Sequence, residues 1–191
     1  MGTGILICGL NGAGKSTLGS ALAARLGLHF IDNEALYFPK TDPRDPYAVS
    51  RSREEVARLL AREIAAHPNF VFASVKGDYG EKLQSAFGYA VLIDAPKAVR
   101  MRRVRDRSFR RFGDRMLPGG DQYAREQAFF ALVESRPEAL VEEWARTLRC
   151  PVIRVDGTRP IAENVAFIAR RLQGESPGSE HSENLSDEED A

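Results

Sequence analysis

The 191-residue sequence predicts an α/β fold, a parallel β-sheet covered by helices on both faces. Five short apolar runs alternate with stretches of helical spacing. The first run, Ile5–Cys8, ends in Gly9-Leu10-Asn11-Gly12-Ala13-Gly14-Lys15-Ser16, which matches G-x-x-x-x-G-K-[ST] at each fixed position. Acids close three of the later runs (Asp32, Asp94 and Asp156). They therefore share with the glycine loop the carboxyl rim of the sheet, where open α/β sheets bind ligands.

The glycine loop explains itself chemically. Glycine lets the backbone come close to a ligand. Consecutive N–H groups and the positive end of the helix starting near Lys15 then form an anion site for phosphates. Asn11, Gly12, Ala13, Gly14, Lys15, Ser16 and Thr17 are the predicted nucleotide-binding residues. Lys15 reaches the β- and γ-phosphates and the Ser16 hydroxyl can ligate Mg²⁺, so ATP with Mg²⁺ is the expected pair. The competing reading is a glycine turn that binds nothing. It gives no account of every fixed position matching in a strand–loop–helix context.

After this loop, Leu18, Ala21, Leu22, Ala24 and Leu26 recur at helical spacing, and Gly27–Asp32 reads as the second strand. Residues 38–49 hold three prolines and form a loop facing the substrate, with Tyr37, Phe38 and Tyr47 as candidate acceptor lining. Ser52-Arg53-Glu54-Glu55 is a capping box opening a helix through Val56, Leu59, Leu60 and Ile64, which Pro68 stops. Asn69–Val75 is the third strand, followed by Lys76 and Asp78 as candidate substrate contacts. Ala90–Asp94 is the fourth, and Pro96 fits the first turn of an arginine-rich helix over 97–107. Asp94 reads either as a Walker-B acid or as the cap of that helix. Residues 108–121, with Gly113, Pro118, Gly119 and Gly120, lose periodicity as a flap would. Helical spacing returns at Phe129, Leu132 and Val133, and restarts after a second capping box, Ser135-Arg136-Pro137-Glu138. Pro151–Val155 is the fifth strand, and Asp156-Gly157-Thr158 turns into a last helix with Thr158 as its cap.

Composition excludes several classes. Apolar content of 43% and charged content of 28% are those of an ordinary soluble chain. No run of apolar residues is long enough for a membrane span, and Met1-Gly-Thr-Gly leads directly into the first strand, so no signal peptide is expected. Cys8 and Cys150 are isolated in apolar settings and read as reduced core thiols of a cytoplasmic protein. The 27 basic and 27 acidic residues cancel, yet seven of the acids fall in residues 175–191, which hold no Lys or Arg. Residues 1–174 thus carry 27 basic against 20 acidic residues, a net +7 suited to a polyanionic ligand. The expected organisation is a catalytic domain over 1–174 and an acidic disordered tail over 175–191, solubilising or offered to a protein partner.

Beyond the loop, Asp32-Asn33-Glu34 places carboxylates beside the phosphates. Asp32 suits Mg²⁺, through water, and Asp32 or Glu34 can accept the proton of an attacking hydroxyl. The bland alternative is that Asp32 caps the next segment. Residues 100–115 carry eight arginines. Arg103 and Arg107, four apart on one helical face, are predicted to reach the nucleotide, and Arg111 and Arg115 to act from the flap on the transferring group.

These residues together resemble the nucleoside-monophosphate-kinase-like branch of P-loop NTPases, including adenylate, shikimate and gluconate kinases. The resemblance spans about residues 4–172. Asp32-Asn33-Glu34 is similar to the D-x-D of shikimate kinases, whose acids serve magnesium and the acceptor hydroxyl. Val155-Asp156-Gly157-Thr158 is similar to the adenine-loop segment of adenylate kinases, which implies nucleotide contacts from Asp156, Gly157 and Thr158. The resemblance implies a three-layer sandwich with sheet order 2-3-1-4-5 and a short lid at about 108–121. The third strand departs from both families, ending Ala73-Ser74-Val75-Lys76-Gly77-Asp78. The expected activity is transfer of the γ-phosphoryl group of Mg²⁺-ATP to a small metabolite or nucleotide. The alternative is an ATP-dependent regulatory switch or ATPase without a small acceptor. Nucleic acid is disfavoured as a partner, since only Phe109 and Phe112 interleave the arginines as stacking aromatics.

Overall fold

The structure is a computed structural model, and it describes residues 2–174. The acidic segment 175–191 lies outside the described residues. Five strands, β1 (Gly4–Cys8), β2 (His29–Asp32), β3 (Phe70–Ala73), β4 (Phe87–Asp94) and β5 (Val152–Asp156), form one sheet in the order β2-β3-β1-β4-β5. All four pairings are parallel, as the expected order and class require. The helices are α1 (Lys15–Leu26), α2 (Asn33–Tyr37), α3 (Arg53–Ala66), α4 (Glu81–Gln84), α5 (Lys97–Phe112), α6 (Tyr123–Ser135), α7 (Leu140–Ala145) and α8 (Ile161–Leu172), with a 3-10 turn at Gly113–Met116.

Strand alternation sends side chains to two separate cores. Ile5, Ile7, Val71, Val91 and Ile93 face Leu18 and Leu22 of α1 and Ile168 of α8. Leu6, Cys8, Phe72, Ala90 and Leu92 face Leu60 of α3 and Val141 and Ala145 of α7. Because both faces are covered, the strands read as near-continuous apolar runs. A third cluster packs α5 against α6 through Met101, Val104, Phe112, Phe130 and Val133, with Met116 from the turn between them. Both cysteines are free; Cys8 is fully buried and burial pushes its thiol up to about 12, which makes it an inert core thiol.

The Ser52 capping box forms as expected, with the Ser52 hydroxyl accepting from the Glu55 N–H and the Glu55 carboxylate from the Ser52 N–H. Three local expectations are corrected. The second capping box does not form. Ser135 is the last residue of α6 and its hydroxyl donates to the Leu132 carbonyl, while Glu138 receives both N–H contacts of the buried Arg100 at 2.6 and 2.7 Å. Pairing a buried guanidinium outweighs a cap that solvent can replace. Asp94 and Thr158 do not cap α5 and α8, each of which starts after a proline, Pro96 and Pro160. Finally, helix α5 continues to Phe112, because Val104, Ser108 and Phe112 keep one buried stripe at helical spacing. Arg110 and Arg111 thus stand on a helix and not in a loop.

Candidate active site

The carboxyl rim of the sheet opens into a cavity of about 510 Å³. Its floor is the phosphate loop between β1 and α1. Gly12 has φ +80°, and a Cβ there would lie 2.3 Å from the Arg100 carbonyl oxygen, so only glycine lets the loop pass this close to α5. Asn11, Gly12, Lys15 and Ser16 face the cavity. Among the described residues the Lys15 ammonium has no carboxylate partner, and it donates to the Leu10 carbonyl at 3.0 Å. Burial above all, and then the Arg107 and Arg136 charges, lower its pKa from 10.5 to about 8, with Asp32 opposing them.

Asp32 ends β2 and lines the same cavity. Its Oδ1 accepts from the Glu34 N–H at 2.9 Å and caps α2. The capping reading is therefore correct, and it occupies only one oxygen. Glu34 is more heavily engaged. Oε1 accepts from the Tyr47 hydroxyl at 2.6 Å and lies 3.7 Å from Arg111, and Oε2 lies 3.4 Å from Arg107. The helical stripe 100, 103, 107, 111 accounts for how the arginines divide. Arg100 is a buried brace to Glu138 and the Ala95 carbonyl. Arg103 donates to the Gly157 carbonyl at 2.9 Å and leans on the carbonyls of Gly12 and Ala13, tying the phosphate loop to the loop at Asp156–Thr158. Arg107 and Arg111 enter the cavity.

The loop Asp156–Thr158 sits against the outer side of the phosphate loop. The Gly157 N–H donates to the Asp94 carbonyl at 2.6 Å, and a Cβ at Gly157 would meet the Ala13 carbonyl oxygen at 2.7 Å. Asp156 accepts from the Thr158 N–H and hydroxyl, which holds its carboxyl below the usual range. Ala13, Gly14, Thr17, Arg103 and residues 156–158 do not border the cavity itself. Arg115 is not brought to it either. It pairs bidentately with Asp121 and donates to the Arg44 carbonyl at 2.8 Å. Lys76 and Asp78 pair with each other at 3.2 Å, also outside the cavity.

The wall opposite the phosphate loop carries Tyr37, Phe38, Tyr47, Phe112 and Phe129. Arg111 lies over the Tyr47 ring at 4.6 Å. Three charged residues here have no counterpart in the sequence expectations. Arg136, just beyond α6, donates to the Asn11 side chain at 2.8 Å, and burial lowers its pKa. Arg125 grips Asp45 with two 2.6 Å contacts. Glu126, buried on the first turn of α6, also borders the cavity. Their spacing carried no motif, since their meeting depends on how α6 packs on α5. Among the described residues one other group suits a metal ion. His29, Glu63 and His67 bring ligand atoms within 4.8 Å of one another, at the opposite end of β2 from Asp32. No described helix is long and apolar enough to cross a membrane.

Comparison with known proteins agrees with this architecture. The AAA domain family model matches residues 5–113. An uncharacterized protein of Bacillus subtilis, YqaC, is 30% identical over 169 residues, covering 84% of this chain and 92% of that protein. A shikimate kinase of Gloeobacter violaceus is 31% identical over 176 residues, covering 81% and 95% respectively. The crystal structure of shikimate kinase from Bacteroides thetaiotaomicron superposes with a TM-score of 0.56 at 19% identity, over 90% of this chain and 98% of that one, a likeness of fold.

Proposed function

The chain belongs to the AAA domain family, in the group of P-loop kinases that includes the shikimate kinases, and on that premise we propose that it transfers the γ-phosphoryl group of Mg²⁺-ATP to an oxygen of a small acceptor. The observation carrying this reading is the convergence of Lys15, Ser16, Asp32, Arg107 and Arg136 on one cavity whose opposite wall is aromatic. Phosphoryl transfer needs little covalent help from protein, and its demands are position and fixed positive charge. Lys15 and Arg136, partly desolvated and held by neutral oxygens, supply charge that only an anion would balance.

The acceptor oxygen forms a bond to the γ-phosphorus while the bond from that phosphorus to the β–γ bridging oxygen breaks, its electron pair leaving with ADP. The acceptor's proton passes to a carboxylate. Asp32 is the better base, because its Oδ2 is free of the contacts that engage both oxygens of Glu34. Glu34 instead fixes Arg107, Arg111 and Tyr47. Mg²⁺, when bound, supplies further charge neutralisation on the phosphate oxygens, and Ser16 and Asp32 would hold it. Arg103 and the loop at residues 156–158 support the nucleotide side from outside the cavity.

ADP release by the purified chain with Mg²⁺-ATP tests the reading, alone and with pools of nucleoside monophosphates, sugar acids and polyols, or cyclic hydroxy acids. Stimulation by one pool, with the phosphorylated acceptor recovered, is the expected outcome. Turnover unchanged by every pool would instead favour an ATP-dependent switch.

A further inference from the structure

We propose that His29, Glu63 and His67 form a binding site for a borderline divalent transition-metal ion of the Zn²⁺ type, apart from the nucleotide cavity and independent of the kinase reading. The chain has three histidines, and two of them, far apart in sequence, meet here. The His29 Nε2 and the Glu63 Oε2 are 2.9 Å apart, and the ligand atoms of all three residues lie within 4.8 Å of one another. The His29 and His67 rings stack with their centroids 3.7 Å apart. Two imidazoles and one carboxylate are a donor set that suits Zn²⁺, with one position left for water. The hard Mg²⁺ ion prefers oxygen ligands and octahedral geometry, so this group does not duplicate the metal site of the cavity.

The fold builds the group from the ends of two elements. Strand β3 runs parallel to β2, so α3, which leads into β3, ends beside the start of β2. His29 opens β2, and its N–H donates to the Asn69 carbonyl at 3.1 Å, which fixes the residue at the sheet edge. Glu63 lies on the last turn of α3. That helix ends at His67, whose N–H donates to the Glu63 carbonyl at 2.8 Å. The four-residue spacing of Glu63 and His67 sets both on one side of the helix end.

Simpler accounts cover these residues singly. A His–Glu contact at the surface is an ordinary ion pair of small value, and a histidine at a helix C-terminus suits the helix dipole. Neither brings a second imidazole to the first pair. Metal capture uses all three groups at once, as neutral imidazoles and an ionised carboxylate. The 2.9 Å between His29 and Glu63 is already close to the spacing of neighbouring ligand atoms around one ion. Zn²⁺ bond lengths of about 2.0–2.1 Å place such atoms roughly 3.3 Å apart. His67 completes the set by turning its ring about the side-chain torsions, which its exposure leaves free. The ion clips the end of α3 to the start of β2, and none of the three residues borders the nucleotide cavity.

The test uses the full untagged chain without nucleotide, in buffer holding millimolar Mg²⁺. Zn²⁺ is titrated in by calorimetry, and thermal melts are recorded in Zn²⁺ and in chelator. A single Zn²⁺ per chain is expected to bind at micromolar or lower concentration and to raise the melting midpoint. His67→Ala and Glu63→Gln should each weaken this binding by about tenfold or more and remove most of the rise in midpoint. His67 is exposed and Glu63 half-buried, and the melts in chelator establish that both variants fold. His181, the third histidine, belongs to the acidic segment outside the described residues, and His181→Ala should leave binding within twofold. Absence of saturable Zn²⁺ binding at micromolar concentration would overturn the proposal, as would binding that survives either His67→Ala or Glu63→Gln in a folded protein. Loss of binding in His181→Ala would do the same, by moving the ion to the acidic segment.

Discussion

The phosphate wall of the cavity comes from one unbroken stretch of chain, residues 9–17, through Asn11, Gly12, Lys15 and Ser16, whereas the wall facing it is collected from α2, the segment at 38–49, α5 and α6. On the first wall most of the chemistry belongs to the backbone and to one lysine and one serine at fixed offsets. On the second it belongs to side chains whose neighbours in space are far away in the chain: Arg136 reaches Asn11, Arg125 reaches Asp45, and Arg107 reaches Glu34. A loop built from backbone geometry tolerates only one spelling. A wall built from side chains can be spelled many ways. This is why the donor side of such an enzyme is general and its acceptor side is particular.

The sharpest way to test that division is to damage the general wall. Lys15→Ala should lower kcat by on the order of 10³-fold, the scale of losing a preorganised electrostatic contact, whichever acceptor is used. A variant retaining a tenth of the activity would show that the arginines, not the lysine, carry the transferring group. Asp32→Asn should lower kcat by about 10²-fold or more while ATP affinity, measured by equilibrium binding, shifts less than threefold. Loss of affinity with kcat intact would make Asp32 only a cap of α2.

On the particular wall the effects should be smaller and confined to the acceptor. Arg125→Ala frees Asp45 and removes a cation facing the aromatic wall, and should raise the acceptor's KM by about tenfold with kcat nearly unchanged, the mark of lost uniform binding. Arg115→Ala is its control. The sequence expectation gave Arg115 a catalytic role, but with Asp121 and the Arg44 carbonyl as its partners it should leave both constants within twofold. A large loss of kcat on Arg115→Ala would mean that the segment after α5 rearranges to bring it in.

The same contrast decides how much was legible before any coordinates. The five strands, the phosphate loop, Asp32 and part of the arginine stripe of α5 could be read, because strand patterning, a fixed motif and a period of 3.6 residues are local signals, and the sheet order followed from the family resemblance those residues carry. Arg103 and Arg107 were found by that period and Arg111 by its place in the expected flap, yet neither signal separated the cavity-facing Arg107 and Arg111 from Arg100 and Arg103, which the fold uses as braces. Arg125, Glu126 and Arg136 sit on α6 and just beyond its end, where nothing in the spacing distinguishes a cavity-facing charge from a solvated one. The false capping box at Ser135–Glu138 has the same origin: a correct local pattern was overruled by Arg100, 38 residues away, needing Glu138.

The last prediction concerns a charge that both walls press upon. Lys15 has its pKa lowered to about 8 by burial and by Arg107 and Arg136. Between about pH 8 and the ordinary lysine value the free protein loses this proton while an unfolded chain keeps it. The unfolded state then binds more protons, so this group makes unliganded stability rise with pH across that window. ATP binding should respond with the opposite sign. The triphosphate favours the charged ammonium, so the complex recaptures the proton, and the ATP dissociation constant should rise by about fivefold between pH 8 and pH 9. Calorimetry in two buffers of different ionisation enthalpy would register uptake of up to one proton per ATP above pH 8 and little below pH 7. Lys15→Met should abolish both the uptake and the stability slope. Proton uptake that persists in Lys15→Met would move the titrating charge to another group and leave Lys15 charged from the start.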